Sequence, residues 1–194
     1  MNVLKKTYNW TLKKAQHKHA KWYLSLISFA ESSFFPIPPD IILIPMALAS
    51  KAKALFYAFI CTLFSVLGGI LGYAIGYFFF NTAGIYIVEF YHLENSFNIF
   101  EDYYKEFGVL IILGAGITPF PYKFITIASG VFGLNIFLFI IVSIIGRGLR
   151  FYLIAILLYF FGEKIKLIID KYFNILTIVF FILLVGSVFI IRFL

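Results

Sequence analysis

Five ionisable residues lie inside stretches of the chain that are otherwise apolar: Glu31, Asp40, Lys123, Arg147 and Arg150. An unpaired charge at the centre of a membrane-spanning helix costs roughly 2.5–3.5 kcal/mol or more, so such residues face one another or a wet interior. Arginine offers a planar fork that binds phosphate through two parallel hydrogen bonds. A carboxylate on an apolar segment is a candidate to carry a coupling proton. These residue types therefore suit the recognition of an anionic group.

The signs of the five charges indicate how they pair. Three cations against two anions leave one positive charge over. Arg147 and Arg150 are three residues apart and therefore share a helix face. Asp40 and Lys123 have opposite charges and occupy equivalent places in two similar segments, so we predict that they pair. One interpretation is a purely structural ion network. In the other, the three cations bind the phosphate of a headgroup, and Glu31 or Asp40 carries the proton.

The composition of the whole chain indicates a membrane protein. Of its 194 residues, 62% are hydrophobic and 13% are charged, and the mean hydropathy is +0.98. A soluble domain carries about 25% charged residues, and 26 Phe and 13 Tyr cannot be hidden inside one 22.3 kDa globule. An ordinary soluble domain and a disordered chain are excluded. With Cys61 as its one cysteine, the chain has no intramolecular disulfide and no cysteine-rich zinc site.

Prolines break two of the apolar segments, residues 24–50 and residues 108–133. The prolines of the two breaks are Pro36, Pro38 and Pro39 in the first and Pro119 and Pro121 in the second. Proline removes a backbone donor and clashes with the preceding turn, so a helix does not continue through such a break. The arms of the first segment have roughly 10–14 residues each, too few to span about 30 Å of hydrocarbon. We predict re-entrant hairpins that return to their starting side.

Two other apolar segments, residues 54–80 and residues 136–161, are long enough to span a membrane with some tilt. The first contains Gly68, Gly72 and Gly76 at four-residue spacing. Such a repeated stripe of small residues lets another helix backbone approach closely, which we interpret as a helix-packing face. A hinge is the alternative interpretation, and the stripe can pack within one chain or between two.

The charged loops follow a pattern that sets the topology. Residues 1–23 contain six lysines and no acid, which predicts a basic amphipathic helix at an anionic membrane surface rather than a nucleic-acid-binding arm. Residues 81–107 contain five acids and one lysine. The positive-inside rule places residues 1–23 and the lysine-rich loop at 163–171 in the cytoplasm and the acidic stretch outside. Residues 172–192 predict a C-terminal transmembrane helix.

The two proline-broken segments are copies of one pattern. Pro119 follows Pro36 by 83 positions, and at this offset Asp40 falls on Lys123. Each break is followed by a long apolar segment, and the topology makes the two hairpins enter from opposite faces. Transporters with inverted repeats build their substrate sites near the midplane from interrupted helices. The predicted fold is an all-α integral membrane protein with an inverted repeat of hairpin plus helix, an N-terminal basic helix and an extra C-terminal transmembrane helix.

Motifs of soluble enzymes are absent from the sequence. It has no His-Glu-x-x-His zinc motif, no Gly-x-Ser-x-Gly elbow and no Gly-rich ATP-binding loop. We therefore predict no enzymatic activity, no catalytic residue, no metal and no cofactor. The predicted partners are membrane lipids, including an anionic lipid phosphate as substrate, and not nucleic acid; a homo-oligomer is left open.

Three motifs in order resemble one family. They are Glu31 followed by Phe35–Asp40, then Thr118–Lys123 with Ala128–Gly130, and then Gly146–Arg150. Together they resemble the DedA family of bacterial inner-membrane proteins, the superfamily with the VTT (formerly SNARE-associated) domain, and most closely its YqaA-like branch. The resemblance implies a VTT-like core over residues 24–162 with two opposed re-entrant hairpins. It also implies a multi-pass protein of the bacterial inner membrane with a cytoplasmic N-terminus.

The same resemblance implies lipid translocation. Several bacterial members are implicated in recycling a polyprenyl-phosphate carrier, coupled to proton or sodium motive force. The essential acids of the family carry over onto Glu31 and Asp40, and its later arginine onto Arg147 or Arg150. Lys123 departs from the arginines that flank the second break in the main branch, and lysine binds phosphate as a point charge.

From the residues and the resemblance together we expect an inner-membrane lipid or lipid-phosphate transporter or flippase coupled to proton motive force. Two alternatives stay open. One is a proton-coupled exporter of a small solute or drug that uses the same site. The other is a non-transporting membrane organiser whose buried charges are structural.

Overall fold

A computed structural model describes residues 19–164 except residues 36, 93, 119 and 163. Every regular element in this part of the chain is a helix, which confirms the all-helical class. The predicted basic helix lies almost wholly outside the described residues, as do the predicted C-terminal helix at 172–192, Pro36 and Pro119.

The first broken segment forms two short helices, α1 (Ala20–Ser33) and α2 (Asp40–Ala49). The N–H groups of Phe34 and Phe35 both bond to the carbonyl of Ala30, at 2.9 and 2.8 Å, and close the end of α1. Helix α1 crosses the predicted boundary between residues 23 and 24, because no glycine or proline interrupts residues 20–23. Asp40 is the first residue of α2, where the helix dipole favours an acid.

A long helix follows the first segment. A 3₁₀ turn (Lys51–Lys53) leads into α3 (Ala54–Phe79), and a π-helical turn (Phe80–Gly84) connects α3 to the short α4 (Ile85–Phe90). The stretch Lys51–Gly84 has 34 residues and a mean hydropathy of 2.2, so it is long and apolar enough to cross a membrane.

The second half contains α5 (Glu94–Ile117), α6 (Tyr122–Val131) and α7 (Ile136–Gly162). Helix α7 has 27 residues with a mean hydropathy of 2.0 and is the second helix that is long and apolar enough to cross a membrane.

The acidic stretch does not end where the sequence predicts. We expected residues 81–107 to form a separate segment and the second hairpin to begin at residue 108, whereas α5 is one helix of 24 residues across that boundary. The reason is a single buried face, since Tyr104, Ile112 and Ala115 are all buried at helical spacing. The second break therefore joins a long arm and a 10-residue arm.

Helix α3 packs extensively against both α1 and α6. Ser33 Oγ donates to the carbonyl of Gly68 at 2.9 Å and so joins α1 to α3. Thr126 Oγ1 donates to the carbonyl of Ser32 at 2.9 Å and so joins α6 to α1. The two broken segments are thus in direct contact beside the long helix.

The glycines of α3 make this packing close. A Cβ atom at Gly68 would lie 2.0 Å from the carbonyl oxygen of Phe29 on α1, and one at Gly76 would lie 2.0 Å from that of Ile127 on α6. A Cβ at Gly72 would lie 2.3 Å from Thr126 Oγ1. The stripe therefore packs within the chain, against both broken segments.

We expect Gly76→Ala to lower stability by about 1–3 kcal/mol or more, because the added methyl group collides with backbone that cannot move alone. Gly114→Ala on α5 is the matched control, since nothing lies within 4 Å of its added Cβ. Thermal unfolding of the purified protein in detergent measures both. Equal losses for the two variants would mean that the close approach at α3 does not matter.

Candidate functional site: an ionic cluster between the breaks

Helices α1 and α7 bring Glu31 and Arg147 together. Arg147 Nη2 donates to Glu31 Oε2 at 2.7 Å, and Arg147 Nε donates to Ser65 Oγ on α3 at 2.6 Å. The Arg147 side chain is 1% exposed and that of Glu31 is 11% exposed. This ion pair is therefore enclosed among three helices.

Two serines complete a ring of hydrogen bonds around the pair. Ser32 Oγ donates to Glu31 Oε2 at 3.1 Å and lies 2.6 Å from Ser65 Oγ. Because a hydroxyl has one hydrogen and that of Ser32 is used on Glu31, Ser65 is the donor to Ser32. Each hydroxyl then donates once and accepts once. The ring leaves neither serine unsatisfied.

Two aromatic rings enclose the guanidinium of Arg147. Its Cζ atom lies 4.9 Å from the centroid of Tyr122 on α6 and 4.7 Å from that of Phe151 on α7. Both distances allow a cation–π attraction. The Tyr122 hydroxyl donates to Ser143 Oγ at 2.6 Å, which fixes the ring. Arg147 is thus held in place by charge, hydrogen bonds and aromatic faces.

A second ion pair joins the two breaks themselves. Arg150 Nη2 donates to Asp40 Oδ2 at the start of α2, and Arg150 Nη1 donates to the carbonyl of Thr118, just after the end of α5. The side chains of Arg150 and Asp40 are 13% and 19% exposed. Asp40 Oδ1 is buried and accepts no hydrogen bond from the described residues. This pair is more open and less fully bonded than the first.

The predicted pairing of Asp40 with Lys123 is wrong, because Asp40 pairs with Arg150. Equivalent places in a repeat lie on two different breaks and need not touch, whereas Arg150 reaches both breaks from α7. Lys123 lies in the first turn of α6 with its Nζ 5.5 Å from the Phe124 ring. It forms no ion pair with the described residues, so the one cation left over is Lys123.

Sequence reasoning missed four residues that build the first pair: Ser32, Ser65, Tyr122 and Phe151. Two of them are local to the pair in sequence, since Phe151 follows Arg147 by four positions on the same helix face and Ser32 follows Glu31 directly. Ser65 and Tyr122 reach the pair from α3 and α6. Among the described residues, no group of three or more His, Cys, Asp or Glu side chains is arranged to hold a metal ion.

Comparison with known proteins gives two relatives. The chain is 38% identical over 165 residues to an uncharacterized protein of Haemophilus influenzae, a match that covers 84% of this chain and 85% of that protein. It is 35% identical over 167 residues to an uncharacterized protein of Histophilus somni, with the same coverage. No family model and no solved structure matches the chain. The chain belongs to the family that includes these Haemophilus influenzae and Histophilus somni proteins.

Proposed function

We propose that the protein is an inner-membrane transporter or flippase for a lipid or lipid phosphate, of the DedA type that its motifs resemble. The observation that carries the proposal is the cluster of buried charges where two broken segments meet a long apolar helix. Charges at such a position face the protein interior and mark substrate or ion pathways in membrane proteins.

The lengths of three of the four hairpin arms support the membrane arrangement that this proposal needs; the fourth arm, α5, has 24 residues, and its N-terminal part carries acidic residues. Helices α1, α2 and α6 have 14, 10 and 10 residues, whereas about 20 are needed to cross the hydrocarbon. Each half of the chain has the order broken segment and then long helix, as an inverted repeat of re-entrant hairpins requires. The outer faces of α3 and α7 are apolar and exposed, including Leu63, Leu67, Ile141 and Leu149, and suit contact with lipid.

The cluster has the charge for an anionic substrate. Its two acids are each paired with an arginine, and Lys123, which follows Tyr122 of the cluster in the chain, carries one further positive charge. The N-terminus of α6, where Lys123 lies, adds the positive end of a helix dipole. Glu31 and Asp40 are the groups that would carry a coupling proton, since protonation of either acid would weaken its contact with the paired arginine.

The second candidate is a non-transporting membrane organiser. The observation that favours it is the closed hydrogen-bond ring that joins Glu31 Oε2 to Arg147 Nε and Nη2 through two serines. Such a network can hold helices together without binding a ligand.

Reconstitution in liposomes with a labelled polyprenyl phosphate tests the proposed transport. We expect the wild-type protein to move the lipid between leaflets and Arg150→Ala to reduce the rate at least about tenfold, because loss of a bidentate phosphate contact removes about 1.4 kcal/mol or more. Lys105→Ala is the matched control, since this lysine is 62% exposed and pairs with Glu101 outside the cluster.

The transporter proposal fails if wild-type liposomes move no more lipid than empty ones, or if neither Arg147→Ala nor Arg150→Ala changes the rate. Movement of a soluble anion without movement of lipid would instead indicate the small-solute exporter. Each variant must first elute as a single species in detergent, so that loss of transport is not loss of fold.

A further inference from the structure

The two arginines of α7 differ in how firmly they are held, and this difference assigns them different roles. We propose that Asp40 competes with an anionic ligand for Arg150. Asp40 is the partner of Arg150 until a phosphate-class oxyanion replaces it, and Lys123 is then the second cation that binds this ligand. This inference rests on the proposed function, because it names the chemistry and the regulation of the same site.

Arg147 is unsuited to receive a ligand. Its guanidinium lies between the rings of Tyr122 and Phe151, and its Nε and Nη2 atoms are already bonded to Ser65 and Glu31. With 1% of the side chain exposed, a phosphate would have to open the whole enclosure. Arg147 is therefore a fixed brace between α1, α3 and α7.

Arg150 has an exchangeable partner. Asp40 binds it through Oδ2, while Oδ1 of the same carboxylate accepts no hydrogen bond from the described residues. A buried acceptor without a donor loses free energy relative to one that is bonded. A phosphate group offers three oxygens to the guanidinium fork and can bind it through two parallel hydrogen bonds. Exchange of Asp40 for phosphate would thus replace an incompletely bonded carboxylate as the partner of Arg150.

The position of Asp40 in α2 stabilises its carboxylate after displacement from Arg150. Asp40 is the first residue of α2, where the helix dipole stabilises a negative charge. A carboxylate displaced from Arg150 can remain beside this helix end. The displacement therefore does not strand an uncompensated acid.

Lys123 supplies the second charge for the ligand. It forms no ion pair with the described residues, and its Nζ lies 5.5 Å from the centroid of the exposed Phe124 ring. With Asp40 displaced, Arg150 and Lys123 present two positive charges. With Asp40 in place, they present one net charge.

Equilibrium binding to the full-length protein in detergent tests the competition. The probes are inorganic phosphate and dihexanoyl phosphatidic acid, titrated by calorimetry at constant ionic strength. We expect Asp40→Asn to lower the Kd by about tenfold or more, because it removes the competing charge and keeps the side-chain volume. Asp40→Ser should act in the same direction if the asparagine variant does not fold. Asp40→Glu keeps the competitor and should gain nothing.

Two further variants test whether the gain in affinity depends on Arg150. Asp40→Asn combined with Arg150→Gln should lose the gain, because the freed arginine is gone. Glu31→Gln should gain nothing, because its partner Arg147 is enclosed. A gain for phosphatidic acid alone would identify a lipid headgroup as the ligand, whereas a gain for both probes would show that the phosphate group suffices; either supports the competition.

The proposal is overturned if Asp40→Asn binds both probes no more tightly than wild type, if Glu31→Gln gains as much, or if the gain survives Arg150→Gln. Transport is a separate measurement. A gain in affinity without lipid movement in liposomes would keep the competitor and end the transporter proposal. Lipid movement without the gain in affinity would support the transporter proposal and overturn the role of Asp40 as a competitor.

Discussion

Arg147→Met will lower the stability of the protein by about 3–5 kcal/mol, because it leaves the Glu31 carboxylate buried without a counter-charge. Only 11% of that side chain is exposed, so water cannot replace the lost guanidinium. Ser32 would remain as a donor to the carboxylate, but one hydroxyl does not offset the loss of a charge. Thermal unfolding in detergent, compared with wild type, measures the loss.

The double variant Glu31→Leu/Arg147→Met should recover most of that stability. Replacing a buried ion pair by apolar groups of similar volume is often neutral or stabilising, and the apolar methionine can lie between the rings of Tyr122 and Phe151. Ser32 and Ser65 are 2.6 Å apart and can still bond to each other. The double variant therefore separates the structural role of the ion pair from any role in transport. It should be folded and yet fail in any transport step that needs the charges.

Lys105→Met is the control for the loss of a cation. Its ion pair with Glu101 is on the surface, where solvent screens the charges, so its loss should change stability little. If Arg147→Met costs as little as Lys105→Met, the enclosure around Arg147 contributes no net stability. If the double variant keeps full transport, the Glu31–Arg147 pair is structural.

The sequence was sufficient to predict the features that depend on local chemistry. Proline chemistry predicted the two breaks, and composition predicted two helices long and apolar enough to span a membrane. The three-residue spacing of Arg147 and Arg150 predicted a shared helix face, and both arginines do pair with acids of the first segment. Charge counting also predicted one cation without an acid.

Features that depend on the packing of distant helices could not be predicted in this way. The predicted pairing of Asp40 with Lys123 was wrong because equivalent positions in two repeats need not be close in space. Arg150 reaches Asp40 from a third helix, α7. Ser65 and Tyr122 are ordinary residues of apolar helices until α1, α3, α6 and α7 are packed together. The length of α5 depends on a buried face that crosses a change in composition.

Exchanging the charges of the second pair, as Asp40→Arg/Arg150→Asp, should recover stability lost in the single variants without recovering transport. The ion pair can form again with its members reversed. However, an arginine at the first residue of α2 opposes the helix dipole, which costs about 0.3–1 kcal/mol. An aspartate at position 150 would also face the carbonyl of Thr118, which now accepts a hydrogen bond. Rescue of the melting temperature should therefore be partial.

If the protein is a transporter as proposed, transport should be lost in the exchanged protein because the proposed ligand contacts are directional. A carboxylate at position 150 repels phosphate. The exchanged arginine would lie at the first break, at position 40, and no longer on α7. An organiser whose charges only hold helices together would behave differently, since the exchange would restore both the fold and the phenotype of a strain that lacks the protein. Exchanging Asp40 with Lys123 is the control. These residues do not pair, so that exchange should rescue neither stability nor lipid movement, and rescue by it would contradict the pairing of Asp40 with Arg150.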